Sequence, residues 1–222
     1  MLDQLLGAEV SYLSLEEYRD MENTYLDLQR RYNEKGQTTY AIPVGASDEV
    51  GLWGYINCVD ELQEDFARTG IAPDAIIATV GSGGTMAGLI LGSALHELDT
   101  EIIGFNVCDN ESYFRDKISS DFKRWQERYE STIDVAGLPI TIIDGYVGPG
   151  YAKATPPVFQ TISRVAKQEG IVLDPVYTGK AFDAMLQEIG SGRLHGMENI
   201  VFIHTGGIYG LFPQKEELLR AI

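Results

Sequence analysis

Residues Ala75-Ile76-Ile77-Ala78-Thr79-Val80 run directly into Gly81-Ser82-Gly83-Gly84-Thr85-Met86-Ala87-Gly88. The apolar, partly β-branched run reads as a strand, the glycines as a tight turn, and the apolar stretch from Thr85 as a helix. A strand apolar throughout is one covered on both faces, as the strands of parallel sheets are. The same alternation repeats outward from this unit. Strands are expected over residues 9–13, 40–44, 101–107, 140–143 and 200–204. Helices are expected over 15–33, 49–69, 85–97, 113–130, 157–169 and 180–189, the first capped by Ser14 with Glu16 and Glu17 in its first turn. Consecutive βα units of this kind build an α/β fold: three layers, an open and mostly parallel sheet with helices on both faces.

Composition narrows the partners. The 222 residues supply one substantial core, and 44% hydrophobic with 23% charged residues is the balance of a folded globular chain. Seventeen Lys and Arg against 33 Asp and Glu give a net charge of −16, which repels phosphate backbones and anionic headgroups. Nucleic acid and membrane surfaces are therefore poor partners. No apolar run approaches the ~20 residues of a membrane helix, and residues 1–6 lack the basic and apolar regions of a secretory signal; a cytoplasmic location is expected. Cys58 and Cys108 lie far apart without metal-ligand spacing, so no metal site is expected and both read as buried thiols.

Three strand ends carry the chemistry. Ser82, Gly83, Gly84 and Thr85 form a glycine-rich turn at a helix start, where free N–H groups and the helix dipole favour a phosphate. The turn fails the P-loop pattern, having no Gly-Lys-Ser/Thr, and fails GxGxxG at Met86, which disfavours a nucleotide; a turn with no ligand is the alternative. In Asp174-Pro175-Val176-Tyr177-Thr178-Gly179-Lys180, Tyr177 stands at a strand end and Thr178 is placed to cap a helix; an aromatic plug beside a helix cap is the plainer reading. His204-Thr205-Gly206-Gly207 closes the last strand, with the Thr205 hydroxyl directed to the carboxyl edge, where open α/β sheets bind ligands. Together these ends suit a flat phosphorylated ligand. Residues 144–156, with three glycines, are the longest irregular stretch and a candidate functional loop.

These motifs, in this order and preceded by Tyr40-Ala41-Ile42-Pro43-Val44-Gly45-Ala46-Ser47, resemble the D-cysteine desulfhydrase and 1-aminocyclopropane-1-carboxylate deaminase family, pyridoxal-phosphate (PLP) enzymes of the tryptophan-synthase β-subunit fold, PLP fold type II. The resemblance implies that Ser82, Gly83, Gly84 and Thr85 hold the cofactor phosphate. It implies that Tyr177 lies against the pyridine ring and faces substrate, and that Thr205 bonds the pyridine nitrogen. Tyr151 matches a substrate-side tyrosine of a Gly-Tyr-Gly loop, with Ala152 departing from the pattern. Tyr151 and Tyr177 are thus the implied catalytic side chains and a small amino acid the implied substrate. Thr178 and Thr205 resemble the desulfhydrase branch; deaminases carry Glu and Leu there. A neutral partner at the pyridine nitrogen suits thiol elimination, which demands less of the electron sink than ring opening.

The family's Schiff-base lysine lies in an N-terminal Gly-Gly-Asn-Lys segment that these residues do not include. The expectation is a fold truncated at its N-terminus, with residues 1–44 a remnant of the smaller domain and 45–222 the larger PLP-binding domain. A missing N-terminal segment or a second copy of the chain would complete it. The expected activity is conversion of D-cysteine to pyruvate, sulfide and ammonia. The alternatives are the cyclopropane amino-acid deaminase and a non-catalytic PLP-binding remnant. Lys153 and Lys180, the lysines beside the inferred site, are expected to be solvated, as are His96 and His195.

Overall fold

A computed structural model describes residues 2–221. Contacts divide the chain into two units, one ending at Pro43 and one starting at Val44.

The first unit holds α1 (Leu2–Leu5), α2 (Leu15–Arg19) and α3 (Met21–Asn33). Ser14 opens α2 as expected: its hydroxyl accepts from the Glu17 N–H, and the Glu17 carboxylate accepts from the Ser14 N–H at 2.7 Å. The single helix expected over residues 15–33 is instead two. Asp20 leaves helical geometry (φ −116°, ψ 54°), and its carboxylate accepts from the Asn23 amide. Short acceptor side chains that bond locally compete with the helix ladder in this way. The strands expected over 9–13 and 40–44 are absent: residues 9–13 and 40–43 are irregular, and Val44–Ala46 is a 3₁₀ turn. A β-prone run becomes a strand only beside a partner, and none pairs with either segment among the described residues. No described residue before Val44 is buried.

The second unit holds β1 (Ala75–Val80), β2 (Glu101–Asn106), β3 (Thr141–Ile143) and β4 (Ile200–Phe202), all parallel, in the order β3-β2-β1-β4. Helix α4 (Trp53–Thr69) precedes β1, and the helices between the strands are α5 (Gly84–Leu95), α6 (Glu111–Tyr129), α7 (Pro156–Glu169) and α8 (Thr178–Ser191). A 3₁₀ segment (Ile208–Gln214) and α9 (Lys215–Ala221), neither of them expected, follow β4. The period-2 alternation of β1 splits the core. Ile76, Ala78 and Val80 pack with α4, α5 and α6, and Ala75 and Ile77 pack with Ala181 and Ala184 of α8. The three layers with helices on both faces are therefore present.

Helix α4 starts four residues later than expected. The Asp48 carboxylate accepts from the N–H groups of Val50 (3.0 Å) and Gly51 (2.7 Å), holding residues 48–51 in a turn. Along α5, Gly88 and Gly92 let α4 approach closely: a Cβ at Gly88 would lie 2.6 Å from Tyr55 Cβ and 2.7 Å from the Leu52 carbonyl oxygen. Gly88→Val is expected to lose about 2–3 kcal/mol of unfolding free energy through this overlap. A loss below about 0.5 kcal/mol in urea unfolding would show that the two helices separate freely.

The strand order fixes where a ligand goes. From β1 the chain winds outward through β2 and β3, then returns to place β4 on the other side of β1. The crevice at the carboxyl ends of β1 and β4 is the topological switch point, where open α/β sheets bind ligands.

Candidate active site

The glycine turn sits at that switch point. Gly83 has φ +90°, a left-handed conformation that glycine adopts without a Cβ penalty, and α5 begins at Gly84. The first N–H groups of a helix lack intrahelical partners. Here the Gly84 N–H donates to Ser47 Oγ at 3.1 Å, and Ser47 Oγ lies 2.6 Å from Ser82 Oγ. Ser47 is held from behind, since Lys117 Nζ donates to its carbonyl oxygen at 2.8 Å while pairing with the fully buried Asp121. The Arg124 guanidinium donates to the other Asp121 oxygen. Burial outweighs these cations and raises the Asp121 pKa. Two hydroxyls, a helix N-terminus and small residues thus line one cup, and Thr85 is partly exposed in the first turn of α5. Its donors and dipole fit a phosphate dianion.

Tyr177 closes the cup at Gly81. A Cβ on that glycine would lie 3.1 Å from Tyr177 Cε1, so the ring rests on the backbone of the turn. What fixes Tyr177 is Asp174, which is fully buried. Its carboxylate accepts from the N–H groups of Val176 (2.7 Å), Tyr177 (2.9 Å) and Thr178 (2.8 Å) and from Thr178 Oγ1 (2.7 Å). Thr178 is therefore not the cap of α8. It is the helix's first residue, fully buried, with its hydroxyl spent on Asp174. Gly207 packs on the same carboxylate, where a Cβ would lie 2.7 Å from Asp174 Cγ; this ties the segment after β4 to the Tyr177 turn.

Tyr151 meets Tyr177: the two hydroxyls share a hydrogen bond and the rings stand edge to face with centroids 5.9 Å apart. Burial, then the hydrogen bond to Tyr151, raises the Tyr177 pKa well above the usual phenol value, so Tyr177 keeps its proton at neutral pH. Thr205 is exposed beyond β4, two residues after Ile203, whose N–H donates to the Ile77 carbonyl of β1 at 2.9 Å. The structure thus brings together Ser82, Gly83, Gly84, Tyr151 and Tyr177 with Thr85 beside them, and leaves Thr205 on the same sheet edge.

Three expectations are overturned. Lys180 is not solvated: it is 2% exposed, and its Nζ donates to the carbonyls of Val147 (2.7 Å) and Gly150 (2.9 Å). Burial lowers its pKa, against the pull of Cys108 and Asp174. Cys58 and Cys108 are only partly buried; the Cys108 thiol donates to the Gly81 carbonyl at 3.3 Å, and burial raises its pKa. His96 is likewise half-buried, 3.7 Å from an Asp60 oxygen, whereas Lys153 and His195 are exposed as expected. Sequence reasoning gave no role to Ser47, Asp174 or Lys180. The signal for Lys180 was available, because at helical spacing it shares the stripe of Ala181, Ala184 and Glu188, all buried.

Beside the cup, Asp144 joins the end of β3 to α6. Burial pushes its pKa up, but bonds accepted from the Glu111 N–H (3.0 Å), the Asn106 amide (2.9 Å) and the Gly145 N–H (2.9 Å) prevail and lower it. A lowered folded pKa gives stability that is present above the unfolded value of about 3.9 and lost as pH falls through the folded value. Because Asp144 is exposed, the contribution is expected to stay under about 1 kcal/mol. The stability gap between wild type and Asp144→Asn should close between about pH 5 and pH 2; a gap independent of pH would contradict this account.

Cup, aromatic pair and switch-point strands lie together at the carboxyl edge of an open α/β sheet, and their donors and dipole fit a small phosphorylated ligand. The family model described as "Pyridoxal-phosphate dependent enzyme" matches residues 1–206, and the chain belongs to that family. It is 38% identical to a Thermotoga maritima protein provisionally named 1-aminocyclopropane-1-carboxylate deaminase, over 99% of this chain and 68% of that protein. It is 34% identical to the mitochondrial bifunctional D-cysteine desulfhydrase/1-aminocyclopropane-1-carboxylate deaminase of Arabidopsis thaliana, over 98% of this chain and 54% of the relative. The crystal structure of an ACC deaminase homologue superposes with a TM-score of 0.83 at 33% identity, over the whole of this chain and 65% of its own. The fold is PLP fold type II. The chain spans 54–68% of the length of such curated relatives. No helix among the described residues is long and apolar enough to cross a membrane.

Proposed function

We propose that this chain supplies the phosphate and aromatic side of the active site of a PLP-dependent lyase of small amino acids, of the D-cysteine desulfhydrase type. The observation that carries this reading is the convergence of the Ser82–Thr85 cup and the Tyr151–Tyr177 pair at the switch point of the sheet. In it, residues 45–222 are the larger, cofactor-binding domain and residues 1–44 belong to the smaller one. A second copy of the chain or a further segment completes the site, and the protein works in the cytoplasm.

Bound PLP would supply an electron sink for breaking bonds at the substrate Cα. The N–H groups at the start of α5 and the hydroxyls of Ser82, Ser47 and Thr85 would hold its phosphate, exchanging their present mutual bonds for bonds to it. Tyr177, packed on Gly81, would hold the cofactor ring in place. Its raised pKa keeps a proton on the Tyr177 hydroxyl, and Tyr151 shares that hydrogen bond at the half-exposed mouth of the site. The neutral hydroxyl of Thr205 would serve the pyridine nitrogen. That neutrality favours thiol elimination over opening of a cyclopropane ring. Thr178 does not enter the choice, because its hydroxyl is occupied by Asp174.

The reaction balances as D-cysteine plus water giving pyruvate, sulfide and ammonia. The test is a PLP titration, followed by assay of sulfide and keto acid with D-cysteine and with 1-aminocyclopropane-1-carboxylate. Sulfide from D-cysteine supports the reading, and keto acid from the cyclopropane substrate alone moves it to the deaminase. PLP binding without either product leaves a non-catalytic binding module; no PLP binding overturns the reading.

A further inference from the structure

Lys180 is a buried cation in an unfavourable place. It lies in the first turn of α8, where the helix dipole opposes positive charge, and burial opposes it again. An apolar side chain of the same length would fill the space without either cost. What the ammonium adds is two hydrogen bonds, to the carbonyls of Val147 and Gly150. Tyr151 follows Gly150 directly.

The segment these bonds hold has little structure of its own. Gly145, Gly148, Gly150 and Ala152 all have positive φ, and residues 144–155 form neither helix nor strand. Chain entropy therefore opposes any single placement of the Tyr151 ring. The first turn of α8 resolves this at two points. Asp174 fixes the backbone of Tyr177, and one turn on, Lys180 reaches across to the carbonyls on the near side of Tyr151.

We propose that Lys180 is a positioning residue that holds the residue 147–150 loop so that the Tyr151 hydroxyl meets that of Tyr177. Lys180 itself touches neither cofactor nor substrate. The proposal rests on the reading of the two tyrosines as the substrate-side pair, and its test uses cofactor-free protein so that the two stand or fall separately.

The experiment is ¹⁹F NMR of the protein carrying 3-fluorotyrosine, with the Tyr177 resonance assigned from Tyr177→Phe. Tyr151→Phe removes the partner hydroxyl and sets the size of the Tyr177 shift when the pair is broken. Lys180→Met is expected to reproduce at least half of that shift, in the same direction, while keeping a cooperative thermal transition. Lys180→Gln, whose shorter side chain keeps a donor, is expected to fall between, and stands in if Lys180→Met does not fold. A merely structural lysine would lower the transition temperature and leave the Tyr177 resonance at its wild-type position, which overturns the proposal. A Tyr177 resonance unmoved by Tyr151→Phe also overturns it, since there is then no pair to position. PLP binding and turnover of the wild type judge the catalytic reading independently.

Discussion

Asp174→Ala is expected to lose about 3–5 kcal/mol of unfolding free energy, because it leaves several buried donors without their acceptor at about 1–3 kcal/mol each. The carboxylate is fully buried, and it accepts from three successive N–H groups and one hydroxyl. Removing it leaves those donors without an acceptor in a buried turn packed by Gly207. Asp174→Asn keeps one acceptor oxygen but turns an amide toward N–H donors, and should recover only part of the loss. The damage is also local in a predictable way: Tyr177 is the N-cap residue of α8 and depends on this turn for its place on Gly81. Urea unfolding with matched m-values is the measurement. A loss under about 1 kcal/mol would mean that the turn is held by Pro175 and the helix rather than by the carboxylate.

Gly84→Ala is expected to weaken PLP binding by roughly 30- to 150-fold, the equivalent of about 2–3 kcal/mol or one to two charge-assisted hydrogen bonds. A Cβ there would lie 2.5 Å from Ser47 Oγ and 3.2 Å from Ser47 Cα. Rotating the Ser47 hydroxyl relieves the Oγ contact but not those to Cα and Cβ at 3.2 Å, and the Ser47 backbone is held by Lys117. The methyl group therefore displaces a backbone segment from the mouth of the cup. Alanine is the better helix former by about 1 kcal/mol, so global stability should change little. Pyridoxal, which lacks the phosphate, provides the control: wild type and variant should bind it alike. An equal loss for both ligands would show that the turn shapes the ring slot and not a phosphate site.

The unit from β1 to α5 was legible because its determinants are contiguous. Five apolar residues and a threonine, four glycines within eight positions and an apolar helix face are written in fourteen residues in a row, and the structure reproduces the strand to the residue. The Ser14 capping box was legible for the same reason, since its partner is three residues away. The runs at 9–13 and 40–44 carried the same β-prone composition and form no strand. Composition registers fitness for a pleated surface, while the ladder itself must come from a neighbour. Asp20 shows a similar limit within a helix, where one side chain bonding Asn23 divides what periodicity read as continuous.

The sequence by itself determined the class: a parallel α/β sheet, a glycine-rich turn between its central strand and a helix, and a threonine beyond its last strand, whereas Tyr177, expected at a strand end, follows an irregular stretch and caps α8. These follow from propensities and hydrogen bonds acting over one to four residues. Only the tertiary structure decided which side chains meet. Ser47 reaches Gly84 across 37 positions, Tyr151 reaches Tyr177 across 26, and Lys180 reaches the carbonyls of its loop across 30 and 33. The helical stripe places Lys180 on the buried face of α8, yet nothing within a few residues accepts its hydrogen bonds, so its partners could not be read locally. It is buried here because the order β3-β2-β1-β4 brings a glycine-rich loop over the start of α8, and that order is set by packing of the whole core rather than by any local stretch.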